Sequence, residues 1–138
     1  MKNYKLAIFL FIAVAFAINK GVSQTKPGSW AELKAYHTAM STTFHPSEEG
    51  NLEPIKTRSG ELVEAAKAWK NSTPPADFNK PNIKEKLNQL YIESVALDNL
   101  IKDKKVTDKE IKDLLAKLHD RFHEIVGACK AENKEEAH

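Results

Sequence analysis

The chain has 138 residues, 41% hydrophobic and 29% charged, with six prolines and five glycines. That composition excludes collagen-like and low-complexity chains and supplies enough apolar residues for a core, while the length excludes two independent folding units. The net charge of +2 owes its sign to Lys2, Lys5 and Lys20 near the N-terminus; without them 18 basic residues face 19 acidic ones, and a nucleic-acid-binding surface has no electrostatic support.

Lys2 and Lys5 precede an unbroken apolar run from Leu6 to Ile18, which is followed by Asn19, Lys20 and the small residues Gly21 and Ser23. This is the three-part layout of a secretory signal peptide, predicted over residues 1–23. The run is shorter than the ~20 residues a membrane-spanning helix needs. Residues 24–138 are therefore expected as one exported domain, periplasmic and free of the membrane after cleavage. Export makes the single cysteine informative, because an oxidising compartment favours disulfides and Cys129 has no partner within the chain. It is left as a small apolar residue near the end of the last helix, an intermolecular link or a soft metal ligand.

Past Gln24 the apolar residues recur with helical spacing, and no run of alternating β-branched residues suggests a sheet. The first helix is predicted to start at Ser29 as N-cap and to bury Trp30, Leu33, His37, Met40 and Phe44, ending at Pro46. A second carries Leu52, Ile55, Ser59, Leu62, Ala66 and Trp69, with Pro54 tolerated in its first turn. The stretch Asn71 to Pro81, with Pro74, Pro75 and Pro81, reads as the one long connection. The third helix shows Ile83, Leu87, Leu90, Ser94, Leu97 and Ile101. Thr107 and Glu110 form a capping box for the fourth, whose seam is Ile111, Leu115, Leu118, Phe122, Ile125 and Cys129, widened by Leu114 and Val126. Four such helices bury their stripes as an all-α, up-down-up-down four-helix bundle.

Chemistry is sought where polar residues break the stripes. His37 does so between Leu33 and Met40. His119 and His123 stand four residues apart, so both imidazoles project from one helix face and can converge on one ion or cofactor. In an up-down-up-down bundle the first and last helices are antiparallel neighbours. His37 and His123 then share a level, and His119 falls opposite Met40 or Ser41. The expected centre is His37, Met40, His119 and His123; the alternative is two surface histidines in a salt-laced face with Asp120 and Glu124. A weaker second cluster is His45 with Glu48, Glu49 and Glu53, which also reads as charges complementing two helix ends. There is no Gly-rich phosphate loop, no Gly-x-Ser-x-Gly and no His-Glu-x-x-His, so no enzymatic activity is expected.

This layout resembles the periplasmic four-helix-bundle cytochromes, both the b-type member and cytochrome c-prime. The likeness spans about Trp30 to Lys130 and includes the Ser72-Thr73-Pro74-Pro75 link and Arg121-Phe122-His123-Glu124 near the end of the last helix. It implies b-type haem, held between His123 and either Met40 or His37, in an electron carrier with a redox partner protein. The Cys-x-x-Cys-His run of covalent haem attachment is absent, so only non-covalent haem fits. The extra His119 and His45 point to an alternative, a protein that binds or buffers bare copper, zinc or nickel with the same cluster. A structural bundle without cofactor, dimeric through helix faces or Cys129, is the third expectation.

Overall fold

The structure, a computed structural model, describes residues 29–131, with side chains to residue 127. The leader and the side chain of Cys129 lie outside the described residues. Four helices follow one another, α1 (Ala31–Glu48), α2 (Glu53–Asn71), α3 (Ile83–Asp103) and α4 (Asp108–Ala131), with a 3₁₀ turn at Ala76–Phe78 in the long connection. The described residues contain no strand, and none of their helices is long and apolar enough to cross a membrane. Each helix packs on its neighbours in sequence, and α4 closes back on α1 across the sparsest of the four interfaces.

The stripes of α2, α3 and α4 are buried as the spacing predicts. Ile55, Ser59, Leu62, Ala66 and Trp69 point inward from α2, and Ile83, Leu87, Leu90, Ser94 and Leu97 from α3. Ile111, Leu115, Leu118, Phe122 and Ile125 complete the core from α4. Pro54 sits in the first turn of α2, where its missing N–H costs nothing. The capping box at α4 is formed in full: Glu110 accepts from the Thr107 backbone N–H at 2.8 Å, and Thr107 Oγ1 faces the Glu110 N–H at 3.3 Å.

The first helix departs from expectation in three ways. Its cap is Trp30 in extended conformation, without a side-chain bond, and not Ser29. It runs through Pro46 to Glu48 and closes on a glycine-dependent C-terminal motif. There Gly50, at φ +87°, donates to the Ser47 carbonyl at 3.1 Å, and Asn51 donates to the Pro46 carbonyl at 2.9 Å. Most consequentially, its rotation differs by one residue. Tyr36, Ala39, Met40, Thr43 and Ser47 are buried, Leu33 and Phe44 are half-buried, and His37 is exposed. Thr43 and Ser47 tolerate burial because their hydroxyls donate to carbonyls of their own helix, Thr43 to Ala39 at 2.9 Å and Ser47 to Phe44 at 2.6 Å.

Polar bonds tie the helices across the core. Tyr36 Oη and Ser94 Oγ are 3.4 Å apart between α1 and α3, and Trp30 Nε1 donates to Ser72 Oγ at 2.8 Å, fastening the long connection to the start of α1. Between α2 and α3, Ser59 donates to the buried carboxylate of Asp98 at 2.7 Å, and Lys102 reaches the other oxygen at 2.5 Å. Burial pushes the Asp98 carboxyl up, but the bonds from Lys102 and Ser59 outweigh it and hold the group below the usual carboxylate range. The ionised form therefore stabilises the fold above that range, a contribution lost as pH falls through its lowered pKa. Asp98→Ala, which strands the Ser59 hydroxyl, is expected to cost about 1–3 kcal/mol in urea unfolding at neutral pH. Lys102→Ala, which removes only the exposed partner, is expected to cost less than about 1 kcal/mol.

Candidate functional site

Aromatic and imidazole rings fill the seam where α4 returns to α1. Phe44 lies flat on His119, centroids 3.8 Å apart and planes within 9°, and one level away His37 lies flat on Phe122 at 5.3 Å and 7°. Advancing along α1 from His37 to Phe44 thus runs back along α4 from Phe122 to His119, and the two helices are antiparallel. Phe122 also contacts Tyr36 and Trp69 on its inner side, so the ring ladder continues from the surface into the core.

On the outer side of the ladder, His119 and His123 turn their Nε2 atoms to within 3.1 Å of each other, ring planes near perpendicular. Helix geometry makes this pairing possible, since residues four apart stack on one face. The face of His119 is covered by Phe44 and 24% of its side chain remains exposed, so its nitrogen edge is the accessible part. Burial pushes the His119 imidazole below the usual histidine range; the positive charge of His123 adds to this, while Asp120 and Glu48 pull the other way. His119 is therefore neutral at pH 7, with a ring nitrogen lone pair free for a proton or a metal.

The end of α1 brings a second pair beside the first. His45 Nδ1 and Glu48 Oε2 are 3.1 Å apart, and both residues act electrostatically on His119. The two clusters expected separately from sequence are one neighbourhood, joined through Phe44. Glu49 and Glu53, expected to share the second cluster, are exposed and stand outside this pair.

The four residues expected to form one centre divide. His119 and His123 meet. His37 lies on the face of Phe122, exposed, its ring nitrogens making no hydrogen bond among the described residues; the expected place on the buried seam belongs to Tyr36, a larger and more apolar ring. Met40 is sealed in the apolar core at 1% exposure. Among the described residues no group of three or more histidine, cysteine, aspartate or glutamate side chains is already arranged to hold a metal ion. Phe44 and Glu48 are the partners that sequence reading passed over as site residues; the only hint was their position at the α1 end that faces His119.

A groove of about 380 Å³ opens elsewhere, between α3 and α4, lined by Glu93, Ala96, Leu114, Leu118 and Arg121 among others, and none of the imidazoles borders it. Comparison with protein-family models, with curated proteins and with solved structures found no match to this chain.

The His119 environment generates a pH prediction. In metal-free protein followed by NMR, His119 is expected to titrate below the ordinary midpoint of about 6.5, and His123→Ala is expected to move that midpoint upward by removing a neighbouring positive charge. Because the unfolded chain takes up this proton before the folded one does, stability should fall as pH drops through the ordinary histidine range. A midpoint at or above the ordinary value would contradict the geometry.

Proposed function

We propose that the chain is an exported, periplasmic up-down-up-down four-helix bundle that binds a transition-metal ion, zinc, copper or nickel, through His119 and His123. The observation that carries this reading is the 3.1 Å separation of the two Nε2 atoms. Two imidazole nitrogens that bind one ion at about 2.0–2.1 Å, at angles between square and tetrahedral, lie about 2.9–3.4 Å apart. Neutral His119 presents its lone pair without a proton to displace, and Phe44 fixes the ring plane. The bundle topology is supported by the sequential packing of the helices and by the antiparallel run of α1 against α4.

The donor set narrows the metal. With Met40 in the core, the pair offers imidazole nitrogen without sulfur, which suits Zn²⁺, Cu²⁺ or Ni²⁺ better than Cu⁺. Buffering or carrying an ion is the role such a surface pair supports; no second catalytic group converges on it. The haem reading draws less support. Haem needs a slot between helices, and the α1–α4 seam is occupied by rings stacked at 3.8 and 5.3 Å.

Calorimetric titration with Zn²⁺, Cu²⁺ and Ni²⁺, alongside a spectroscopic titration with haem, tests this reading. Binding of at least one ion is expected, weakened about tenfold or more by His119→Ala and by His123→Ala, given that even outer partners of metal ligands are worth 10–100-fold. A haem Soret band that His123→Ala abolishes, with no ion bound in the untreated protein, would replace the metal reading with the cytochrome one.

A further inference from the structure

We infer that the Glu48 carboxylate of α1 supplies the third donor to an ion held by His119 and His123, with His45 holding that carboxylate in place, so that the ion staples α1 to α4. The inference rests on the metal reading above and adds the cross-helix ligand and its mechanical consequence.

The rotation of α1 carries the argument. Taking Tyr36 as the inward direction and 100° per residue, His37 and Phe44 fall near 100° and 80°, and these are the two residues that touch α4. Glu48 falls near 120°, on the same edge and one turn beyond Phe44, whereas His45 falls near 180°, facing away from the core. Of the α1 side chains, Glu48 and His45 are the two whose charges reach His119. Glu48 is thus on the edge facing the imidazole pair, and His45 stands behind it with Nδ1 at 3.1 Å from Oε2.

Chemistry and mobility agree with that placement. Two imidazoles and a carboxylate are a recurrent zinc donor set, leaving a further position for water. A ligating carboxylate is ordinarily hydrogen-bonded to an outer partner, the role His45 fills. Both side chains are more than half exposed, 55% for Glu48 and 65% for His45, so turning Glu48 toward the pair displaces no packed neighbour. The backbone beneath them is fixed by the Gly50 closure of α1. The carboxylate also brings negative charge to a cluster whose other nearby donors are neutral or cationic imidazoles. Since α1 and α4 share the sparsest interface in the bundle, an ion liganded from both adds a tie where packing supplies least.

The test is Zn²⁺ titration by calorimetry and thermal unfolding on the full-length exported protein and on Glu48→Gln, His45→Ala and His119→Ala. In the parent, Zn²⁺ is expected to raise the unfolding temperature, because the ion binds only the folded arrangement. Glu48→Gln should weaken Zn²⁺ about tenfold or more and remove most of that rise, and His45→Ala should do so to a smaller extent. Metal K-edge absorption should count two imidazoles and one carboxylate. If Glu48→Gln binds Zn²⁺ as the parent does while His119→Ala does not, the staple is overturned and the two-histidine site stands. If His45→Ala costs more than Glu48→Gln, or the edge counts three imidazoles, the ligand assignment is overturned. If the parent binds no Zn²⁺, Cu²⁺ or Ni²⁺, the metal reading itself fails and the staple with it.

Discussion

The burial of Tyr36 sets the rotation of α1, and the functional face follows from that rotation. The phenol ring packs between Trp69 and Phe122, and its hydroxyl meets Ser94 across the core. Burial pushes the phenol well above its ordinary pKa, so the group is neutral and available as a hydrogen-bond donor at every physiological pH. With Tyr36 inward, the next residue, His37, must leave the core, and Phe44 must come to the α4 edge. A helix turned 100° the other way would bury His37 and carry Phe44 off His119. The imidazole site is thus a by-product of an aromatic packing choice made two turns away.

That packing has a cost and a use. Trp69 lies wholly inside, with an indole N–H that finds no partner, a penalty of about 1–3 kcal/mol. It is offset by the ring contacts Trp69 makes with Trp30, Tyr36 and Phe122. Trp30 in turn satisfies its own N–H on Ser72, so the proline-containing connection is drawn onto the aromatic cluster. The result is a rigid ladder that ends at the surface in Phe122 and Phe44. Imidazoles laid flat on such rings keep their planes and expose only their edges, the orientation a ligand requires.

The sequence revealed α2, α3 and α4 well because their stripes consist of large aliphatic and aromatic residues with polar residues on either side. Ile55, Leu62 and Trp69, or Leu115, Leu118 and Phe122, admit one rotation only. In α1 two stripes compete on adjacent faces: Leu33, His37, Met40 and Phe44 look more apolar than Tyr36, Ala39, Thr43 and Ser47. The second wins because the Thr43 and Ser47 hydroxyls bond to their own backbone, a satisfaction that composition does not display. Pro46 misled for a related reason, since a proline near a helix end loses only one backbone bond. The site was half legible. His119 and His123 announce themselves by spacing alone, being on one helix, whereas the link from Phe44 and Glu48 to His119 spans two helices far apart in sequence and depends on the rotation of α1.

The same geometry bears on which cofactor the bundle suits. A porphyrin is a wide plate that must push a pair of helices apart and replace their contacts with its own apolar faces. Here the gap between α1 and α4 is closed by two face-to-face ring pairs, and opening it would strip Phe44 from His119 and His37 from Phe122. A bare ion asks for nothing of the kind. It needs nitrogen edges that already converge at the rim, a carboxylate within a rotamer's reach, and helices held in register by a core built independently of it. Where the interface is sparse, a few directional bonds add more than further apolar contact could, because the aromatic ladder already occupies the space between the helices. The weakest seam of the bundle is therefore also the one best arranged for an ion.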